Sequence, residues 1–447
     1  MGIFKSYDIR GVYNKEWNKD IAYKIGNFIP QIFNIDKILI GRDARLSSNE
    51  IFDALCEGLT DASVDVYDAN LTTTPMIYFG TSFFEFPFSI MITASHNPKE
   101  YNGLKISGKN SVPIGYETGI DKIEDAILNN KLSILKNRKK GKVIQHQFYD
   151  QYTQFLNKYK NQNYSIDYVI DFSSGMASLF KDKLFNDAKK TINSEIDGNF
   201  PAHEPNPLEE ENRHQIVDLV KKQNSDIGII FDGDADRVMF IDEKGNFIAP
   251  DLIIALLGLY FKDRKPFNVL YDIRTSKSVD IFLTELGAKT YMWKVGHAYA
   301  KRKLKEIDGV FGGELAGHYY YKDFYFCDSG ILTSLLVLNM VDKLKTDGIT
   351  ISQWIDKISK YYNSGEINFK INNKKEAIED VINKISSKYE VKQSFDFDGY
   401  RLEFDNWWFN IRPSNTEPLL RLIIEANNKD LLEEKKSEII NIIKNFN

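Results

Sequence analysis

At 447 residues the chain is too long for one ordinary hydrophobic core and implies three or four domains. Its 43% hydrophobic and 27% charged residues are the composition of a globular protein in water. The net charge of −5 excludes a polyanion-binding field over the whole molecule, so nucleic acid is not an expected partner and an anionic substrate must be held by locally placed Arg, Lys and His.

The start, Met1-Gly2-Ile3-Phe4-Lys5, has no apolar signal region, and no later stretch approaches the length of a membrane span; a cytoplasmic protein without membrane association is expected. Lys37 to Gly41 is a short apolar strand, Ser48 to Leu59 a helix, and Val64 to Tyr67 a second strand. This alternation predicts an α/β layer on a mixed or parallel sheet. Phe88 to Ile92 is a further strand that runs into Thr93-Ala94-Ser95-His96-Asn97-Pro98, followed by Tyr101-Asn102-Gly103-Leu104-Lys105. A serine on a loop at a strand end is where a fold can hold a nucleophile, although no Gly-x-Ser-x-Gly elbow surrounds it. Taken alone, the segment is an ordinary polar loop.

Asn137 to Gln147 is basic and irregular, and is expected to be a solvated linker. A second α/β unit then opens with the strand Tyr168 to Phe172, and Ser173-Ser174-Gly175 suggests a helix N-cap. Pro201, Pro205 and Pro207 mark an extended loop before a helix from Glu209 to Gln223. Ile227 to Phe231 is a buried strand that delivers Asp232-Gly233-Asp234-Ala235-Asp236-Arg237, three carboxylates at every second position. Continued as a strand, these would line up like charges on one face. Gly233 permits a sharp excursion that turns the acids around a hard cation, with Arg237 adding positive charge for an anionic substrate; a solvated acidic turn is the bland alternative. A hairpin from Val238 to Ile248, turning at Lys244-Gly245-Asn246, closes the unit.

The third unit begins near Pro250. Its strand Phe267 to Tyr271 leads to Asp272-Ile273-Arg274-Thr275-Ser276 and a helix ending at Gly287, and the strand Lys289 to Trp293 leads to Val295-Gly296-His297. Strand, polar loop and helix thus recur three times, a weak internal repeat. From about Gly365 the pattern changes to strands at Ile367–Ile371, Tyr400–Phe404, Trp408–Arg412 and Leu420–Ala426, with helices at Lys374–Tyr389 and Asp430–Ile443, which suggests a separate α+β domain. Trp407 and Trp408 are expected to pack and not to bind sugar. Cys56 and Cys327 stand in no metal or redox spacing and are expected as small buried residues.

The Ser95 and Asp232–Arg237 loops together resemble the α-D-phosphohexomutase family, whose members carry a phosphoserine loop Thr-x-Ser-His-Asn-Pro and a metal loop Asp-Gly-Asp-x-Asp-Arg. Tyr7-Asp8-Ile9-Arg10-Gly11 is similar to the family's opening motif, Gly313-Glu314-Leu315-Ala316-Gly317-His318 to its sugar-reading loop, and Arg412-Pro413-Ser414-Asn415-Thr416-Glu417-Pro418 to its phosphate-binding loop. Gly296-His297 sits where the family has a further Gly-His pair. The motifs span the whole chain in the family's order, and the phosphomannomutase/phosphoglucomutase branch is the most similar.

The resemblance implies three similar mixed-sheet α/β domains and a smaller α+β domain around a central cleft. The expected divisions are a phosphoserine-loop domain (1–145), a metal-binding domain (146–248), a sugar-recognition domain (249–364) and a C-terminal phosphate-binding domain (365–447). It implies a phosphohexomutase, an isomerase that interconverts hexose 1-phosphate and hexose 6-phosphate (mannose, glucose or both) through phospho-Ser95 and a hexose 1,6-bisphosphate that is intermediate and activator. Mg²⁺ is expected on Ser95, Asp232, Asp234 and Asp236. Arg10, Lys105 and His297 join Ser95 as catalytic residues, while Arg237, Arg274, Glu314, His318, Arg412, Ser414, Asn415 and Thr416 hold the substrate. A monomer or homodimer is expected. Ala316 replaces a serine of many members and Arg274 a lysine of some, departures that bear on fine substrate choice and not on the phosphoryl chemistry, and Leu315 replaces the glutamine of phosphoglucosamine mutases, which ranks that activity lower. The alternatives are a phosphoglucosamine mutase, a non-catalytic sugar-phosphate-binding paralogue, or a metal-dependent phosphatase, which would leave Ser95 and the C-terminal loop unexplained.

Overall fold

The computed structural model describes residues 2–137, 139–414 and 419–446. The first sheet contains β1 (Ile9–Val12), β2 (Lys37–Arg42), β3 (Asp65–Leu71), β4 (Phe88–Ile92), β5 (Tyr101–Gly108) and β6 (Val143–Gln145), in the order β1-β5-β4-β2-β3-β6. The second contains β7 (Tyr168–Asp171), β8 (Lys190–Ile192), β9 (Ile227–Phe231), β10 (Val238–Asp242) and β11 (Phe247–Ile248), in the order β11-β10-β9-β7-β8. The third contains β12 (Asn268–Asp272), β13 (Lys289–Trp293), β14 (Phe311–Gly313), β15 (Tyr319–Tyr321) and β16 (Cys327–Asp328), in the order β13-β12-β14-β15-β16.

One topology is repeated three times. Counted from β2, β7 and β12, four consecutive strands lie in the order 4-3-1-2 in each sheet. The first three pair in parallel and the fourth returns antiparallel to the third. The turn between the third and fourth strands is the Ser95 loop in the first sheet, the aspartate loop in the second and the Glu314 loop in the third. β4 and β9 are buried at every position, which explains their unbroken apolar runs: central strands are covered on both faces. One apolar core, including Leu39, Phe79, Ile229, Ile254 and Leu335, runs through all three units. The helix Gly330–Thr346 is apolar almost all round and buried in that core, capped by Ser329 Oγ on the Leu332 N–H.

The C-terminal unit has its own core and an antiparallel sheet of β17 (Tyr362–Asn363), β18 (Ile367–Phe369), β19 (Gln393–Phe395), β20 (Tyr400–Glu403), β21 (Trp407–Pro413) and β22 (Leu420–Ala426). Trp407 stacks on Phe404, and Trp408 lies under the Arg401 guanidinium and donates to Glu425, so both pack as expected. Polar contacts dock this unit on the third: Arg401 donates to the carbonyls of Ile273 and Thr275, and the Val295 N–H donates to Asp398.

Three expectations need correction. The basic stretch 137–147 is not only a linker, because β6 pairs with β3 and Lys140 pairs with Asp61. Ser173 and Ser174 do not cap a helix: both adopt left-handed backbone (φ 52° and 51°), and Ser173 Oγ donates to the Phe231 carbonyl at the base of the aspartate loop. The helix expected from Glu209 begins at His214, after a 3-10 turn over Glu210–Arg213. Among the described residues no helix is long and apolar enough to cross a membrane, and both cysteines are buried and free.

Candidate active site

Ser95 lies in the turn from β4 to β5 with left-handed backbone (φ 52°) and is almost fully buried. A serine holds that conformation only when its surroundings enforce it. Arg45 does so. Its guanidinium, braced by Asp43 at 3.1 Å, donates to the carbonyls of Ser95 (2.8 Å), Asn97 (2.6 Å), Pro98 (2.6 Å) and Tyr101 (3.1 Å). The Ser95 N–H donates to Thr93 Oγ1, which leaves Oγ to donate to Asp232 Oδ2 at 2.9 Å.

The aspartate loop is pressed against this turn. The left-handed residue that folds it is Ala235 (φ 63°), not Gly233 as the sequence suggested. Gly233 is needed for close approach: a Cβ there would lie 2.6 Å from the Ser95 carbonyl oxygen. Thr74, at the start of the helix Thr74–Phe83, donates Oγ1 to Asp234 Oδ2 at 2.5 Å and its N–H to the Asp234 carbonyl. Ligand oxygens of Asp232, Asp234 and Asp236 all lie within 4.8 Å of one another. Lys105 Nζ contacts Asp234 Oδ2 at 2.6 Å and Asp236 Oδ2 at 2.5 Å, while Asp234 Oδ1 and Asp236 Oδ1 are buried without a hydrogen-bond partner.

The electrostatics fit a divalent cation. Burial and the two neighbouring carboxylates push Asp232 well above the ordinary carboxylate range. Burial alone would also raise Asp236, but the surrounding positive groups, Lys105 foremost, together hold that carboxyl low. Burial would lower Lys105, yet Asp234 and Asp236 overcome this and raise it, so the ammonium stays charged. Lys105 thus meets two of the three carboxylates, with Arg237 Nε 4.0 Å from Asp232 Oδ2, and the orphaned oxygens are a hard, all-oxygen donor set suited to Mg²⁺.

The other expected residues fall into two groups. Arg10, Arg237, His318, Glu314 and His297 form the first group. Arg10 donates to Asn97 Oδ1 at 2.7 Å and pairs with Asp8. Arg237 donates Nε–H to His318 Nε2 at 3.0 Å, so the aspartate and Glu314 loops are joined side chain to side chain. Glu314 is buried, accepts from Tyr320 Oη at 2.9 Å and lies 3.2 Å from the Gly296 N–H. His297 follows Gly296 and has an unpartnered Nδ1; burial and Lys301 push its imidazole well below its ordinary pKa.

Arg274 and Arg412 are already engaged. Arg274 pairs with both oxygens of Asp272, which also accepts the Leu315 N–H, and Arg412 Nε lies 3.2 Å from Asp398 Oδ1. Asp398 in turn holds Val295, so Arg412 reaches the Gly296-His297 turn through one carboxylate. Ser414 donates its N–H to the Leu419 carbonyl; Asn415 and Thr416 lie outside the described residues.

Sequence reasoning missed Arg45, Asp43 and Thr74. Thr72-Thr73-Thr74-Pro75 carries a helix-start signal, since Thr73 caps the helix with proline in the first turn. The other two have no local signal.

The sequence matches family models described as phosphoglucomutase/phosphomannomutase alpha/beta/alpha domain I over residues 1–133, domain II over 146–245, domain III over 249–361 and the C-terminal domain over 366–442. It is 35% identical to a phosphomannomutase of Methanocaldococcus jannaschii over 99% of this chain and 97% of that one. It is 36% identical to a phosphomannomutase of Escherichia coli, covering 99% of both. A solved structure of a phosphoglucomutase/phosphomannomutase family protein from Burkholderia thailandensis superposes with a TM-score of 0.87 at 28% identity, covering 99% of this chain and 97% of that one.

Proposed function

The chain belongs to the phosphoglucomutase/phosphomannomutase family of α-D-phosphohexomutases, and from that premise we propose that Ser95 carries the phosphoryl group moved between O1 and O6 of a hexose. The enzyme is a phosphohexomutase, an isomerase by net reaction. The observation that carries the reading is the contact of Ser95 Oγ with Asp232 Oδ2 at 2.9 Å, in a pocket that gathers three aspartates with Lys105.

Phosphoryl transfer asks for alignment and charge stabilisation more than covalent chemistry. Arg45 fixes the serine loop, so phospho-Ser95 meets its acceptor in one orientation. A hexose 1-phosphate offers its 6-hydroxyl; the new O–P bond forms as the P–Oγ bond of phospho-Ser95 breaks, which leaves hexose 1,6-bisphosphate. After the sugar turns, the 1-phosphate returns to Ser95 and hexose 6-phosphate departs. Lys105, Arg10 and Arg237 set positive charge against the phosphoryl oxygens throughout. His297, neutral and with a free Nδ1, accepts the proton of the attacking hydroxyl. Mg²⁺, held by Asp232, Asp234, Asp236 and the Ser95 oxygen, supplies Lewis-acid charge at the reacting phosphoryl group when bound.

One pocket must grip the sugar in both orientations. Glu314 is the acceptor for its hydroxyls, held by Tyr320 and the Gly296 N–H. The remote phosphate falls to Arg412, Ser414, Asn415 and Thr416, with Arg274 acting through Asp272 on the Glu314 loop; because Asp398 occupies Arg412 Nε, the phosphate is read by the Nη groups.

Mannose and glucose 1-phosphates are the proposed substrates. A coupled assay with glucose, mannose, glucosamine and N-acetylglucosamine 1-phosphates tests this. The first two should exceed the amino sugars in kcat/KM by about tenfold or more, and preference for an amino sugar would contradict the assignment.

A further inference from the structure

Pro201, Pro205 and Pro207 mark the loop 197–207, which neither the proposed reaction nor the metal set uses. Proline fixes φ and offers no N–H, so such a loop must be held by its other groups. It leaves the second unit at the Ser174 turn, where the Asp197 N–H donates to the Ser174 carbonyl at 3.0 Å. It then meets the first unit. Gly198 passes so close that a Cβ there would lie 2.0 Å from the Ala44 carbonyl oxygen. The Phe200 ring, on left-handed backbone (φ 50°), has its centre 5.0 Å from the Arg45 guanidinium. Pro205, buried, then stands 3.4 Å from where a Cβ of Gly233 would be. One loop thus touches both the arginine that fixes Ser95 and the glycine at which the serine and aspartate loops meet.

A single side chain pins this loop at its middle. The His203 side chain is 7% exposed and sets Nε2 3.0 Å from Asp171 Oδ2 and Nδ1 2.8 Å from the Glu204 carbonyl oxygen. A carbonyl can only accept, so Nδ1 carries a proton. Nε2 has a second neighbour, Asn193 Nδ2, at 3.4 Å. Both hydrogens of that amide are already given, to Asp171 Oδ1 at 3.0 Å and Gln215 Oε1 at 2.9 Å. Nε2 therefore has nothing to accept and donates to Asp171, which makes the ring an imidazolium. The charges around it agree. Asp171 is fully buried, Asn193 and Gln215 are neutral, and Glu204 is exposed, so His203 is the countercharge that Asp171 needs. Burial disfavours the charged ring, yet the bond and charge of Asp171, with the Glu204 carbonyl, raise the imidazole above its ordinary pKa.

We propose that His203 is a positioning residue for phosphoryl transfer: held between Asp171 and the Glu204 carbonyl, it pins the 197–207 loop so that Phe200 backs Arg45 and Pro205 backs Gly233, which keeps the serine and aspartate loops in register. This rests on the reading of Ser95 as the phosphoryl carrier. The sugar and the remote phosphate are assigned to Glu314 and Arg412, in the third and C-terminal units. A loosened 197–207 loop should therefore slow transfer without weakening substrate binding.

Nitrogen NMR of the wild-type enzyme with [¹⁵N]histidine tests the pin, His203 being assigned by the loss of its signals in His203→Gln. At about pH 6.5, where an ordinary imidazole is half protonated, both nitrogens of His203 should be fully protonated; a bare nitrogen overturns the proposal. Kinetics with glucose 1-phosphate test the consequence. His203→Gln, which can reach only one of the two acceptors, should lower kcat by about 10- to 100-fold and leave KM within about twofold. Phe200→Leu spares the buried pair, so it tests the same path where the fold is not at risk, and should lower kcat by about two- to fivefold. Adding His203→Gln to Arg45→Lys should cost little more than Arg45→Lys alone, because both act through one serine loop. Wild-type kcat in either single variant, a rise in KM alone, or fully additive losses in the double variant overturn the positioning role and leave Ser95 as the carrier. Failure of glucose 1,6-bisphosphate to phosphorylate Ser95 in the wild-type enzyme overturns that reading, and the proposal with it.

Discussion

Gly233 meets Ser95 main chain to main chain: a methyl group on Gly233 would lie 2.6 Å from the Ser95 carbonyl oxygen. The loop that bears the serine and the loop that bears the carboxylates therefore set each other's position. Gly233→Ala must push them apart. The expected result is a fall in kcat of about 100-fold, the scale of a displacement near 1 Å at a reacting centre. Steady-state kinetics with glucose 1-phosphate check it, and wild-type kcat in a folded variant would show that the loops have slack.

Arg45 holds the same serine from the other side. A lysine keeps the charge near Asp43 but has no planar fork to meet four carbonyls. Arg45→Lys should lower kcat by about 10- to 100-fold and raise the susceptibility of the 95–101 loop to limited proteolysis. Wild-type rates together with unchanged proteolysis would mean that the loop holds its shape without the clamp.

The fold was legible where burial was continuous. The apolar runs of β4 and β9 announce central strands, and the recurring strand, loop and helix announces a repeated unit, while its 4-3-1-2 strand order is seen only in the fold. The site was legible where a motif is local, as at Asp232 to Arg237. Arg45 was not, because its partners are main-chain carbonyls some fifty residues away, which any sequence provides. Gly233 invited a conformational explanation, but crowding and not φ is what excludes a side chain there.

Asp234 accepts from Lys105 and Thr74 through Oδ2 and keeps Oδ1 unpartnered. Asp234→Asn preserves the volume and removes the charge. Mg²⁺ affinity by calorimetry should fall at least about tenfold, and turnover by a similar or larger factor. Equal affinity in variant and wild type would contradict the proposed metal set.

Asp251, at the start of the helix Pro250–Phe261, is buried with one oxygen on the Ser276 N–H and the other unpartnered; burial pushes its pKa up to about 7. An unfolded aspartate titrates near about 4. The folded state thus binds the proton more tightly, and this contribution to stability is complete below about pH 4 and is lost as pH rises through about 7. Asp251→Asn removes the titration. Between pH 5 and pH 8 the melting temperature of the variant should gain on that of wild type, by roughly 2–4 °C per kcal/mol relieved. Parallel pH profiles would show that Asp251 is charged in the folded protein.

The central claim is that Ser95 carries the phosphoryl group. Wild-type enzyme incubated with glucose 1,6-bisphosphate should gain the mass of one phosphate, and peptide mapping should place it on Ser95. Ser95→Ala should take up none and should lose mutase turnover by at least about 1000-fold, as expected when a covalent nucleophile is removed. A phosphate on another residue, or full turnover by Ser95→Ala, would contradict the account.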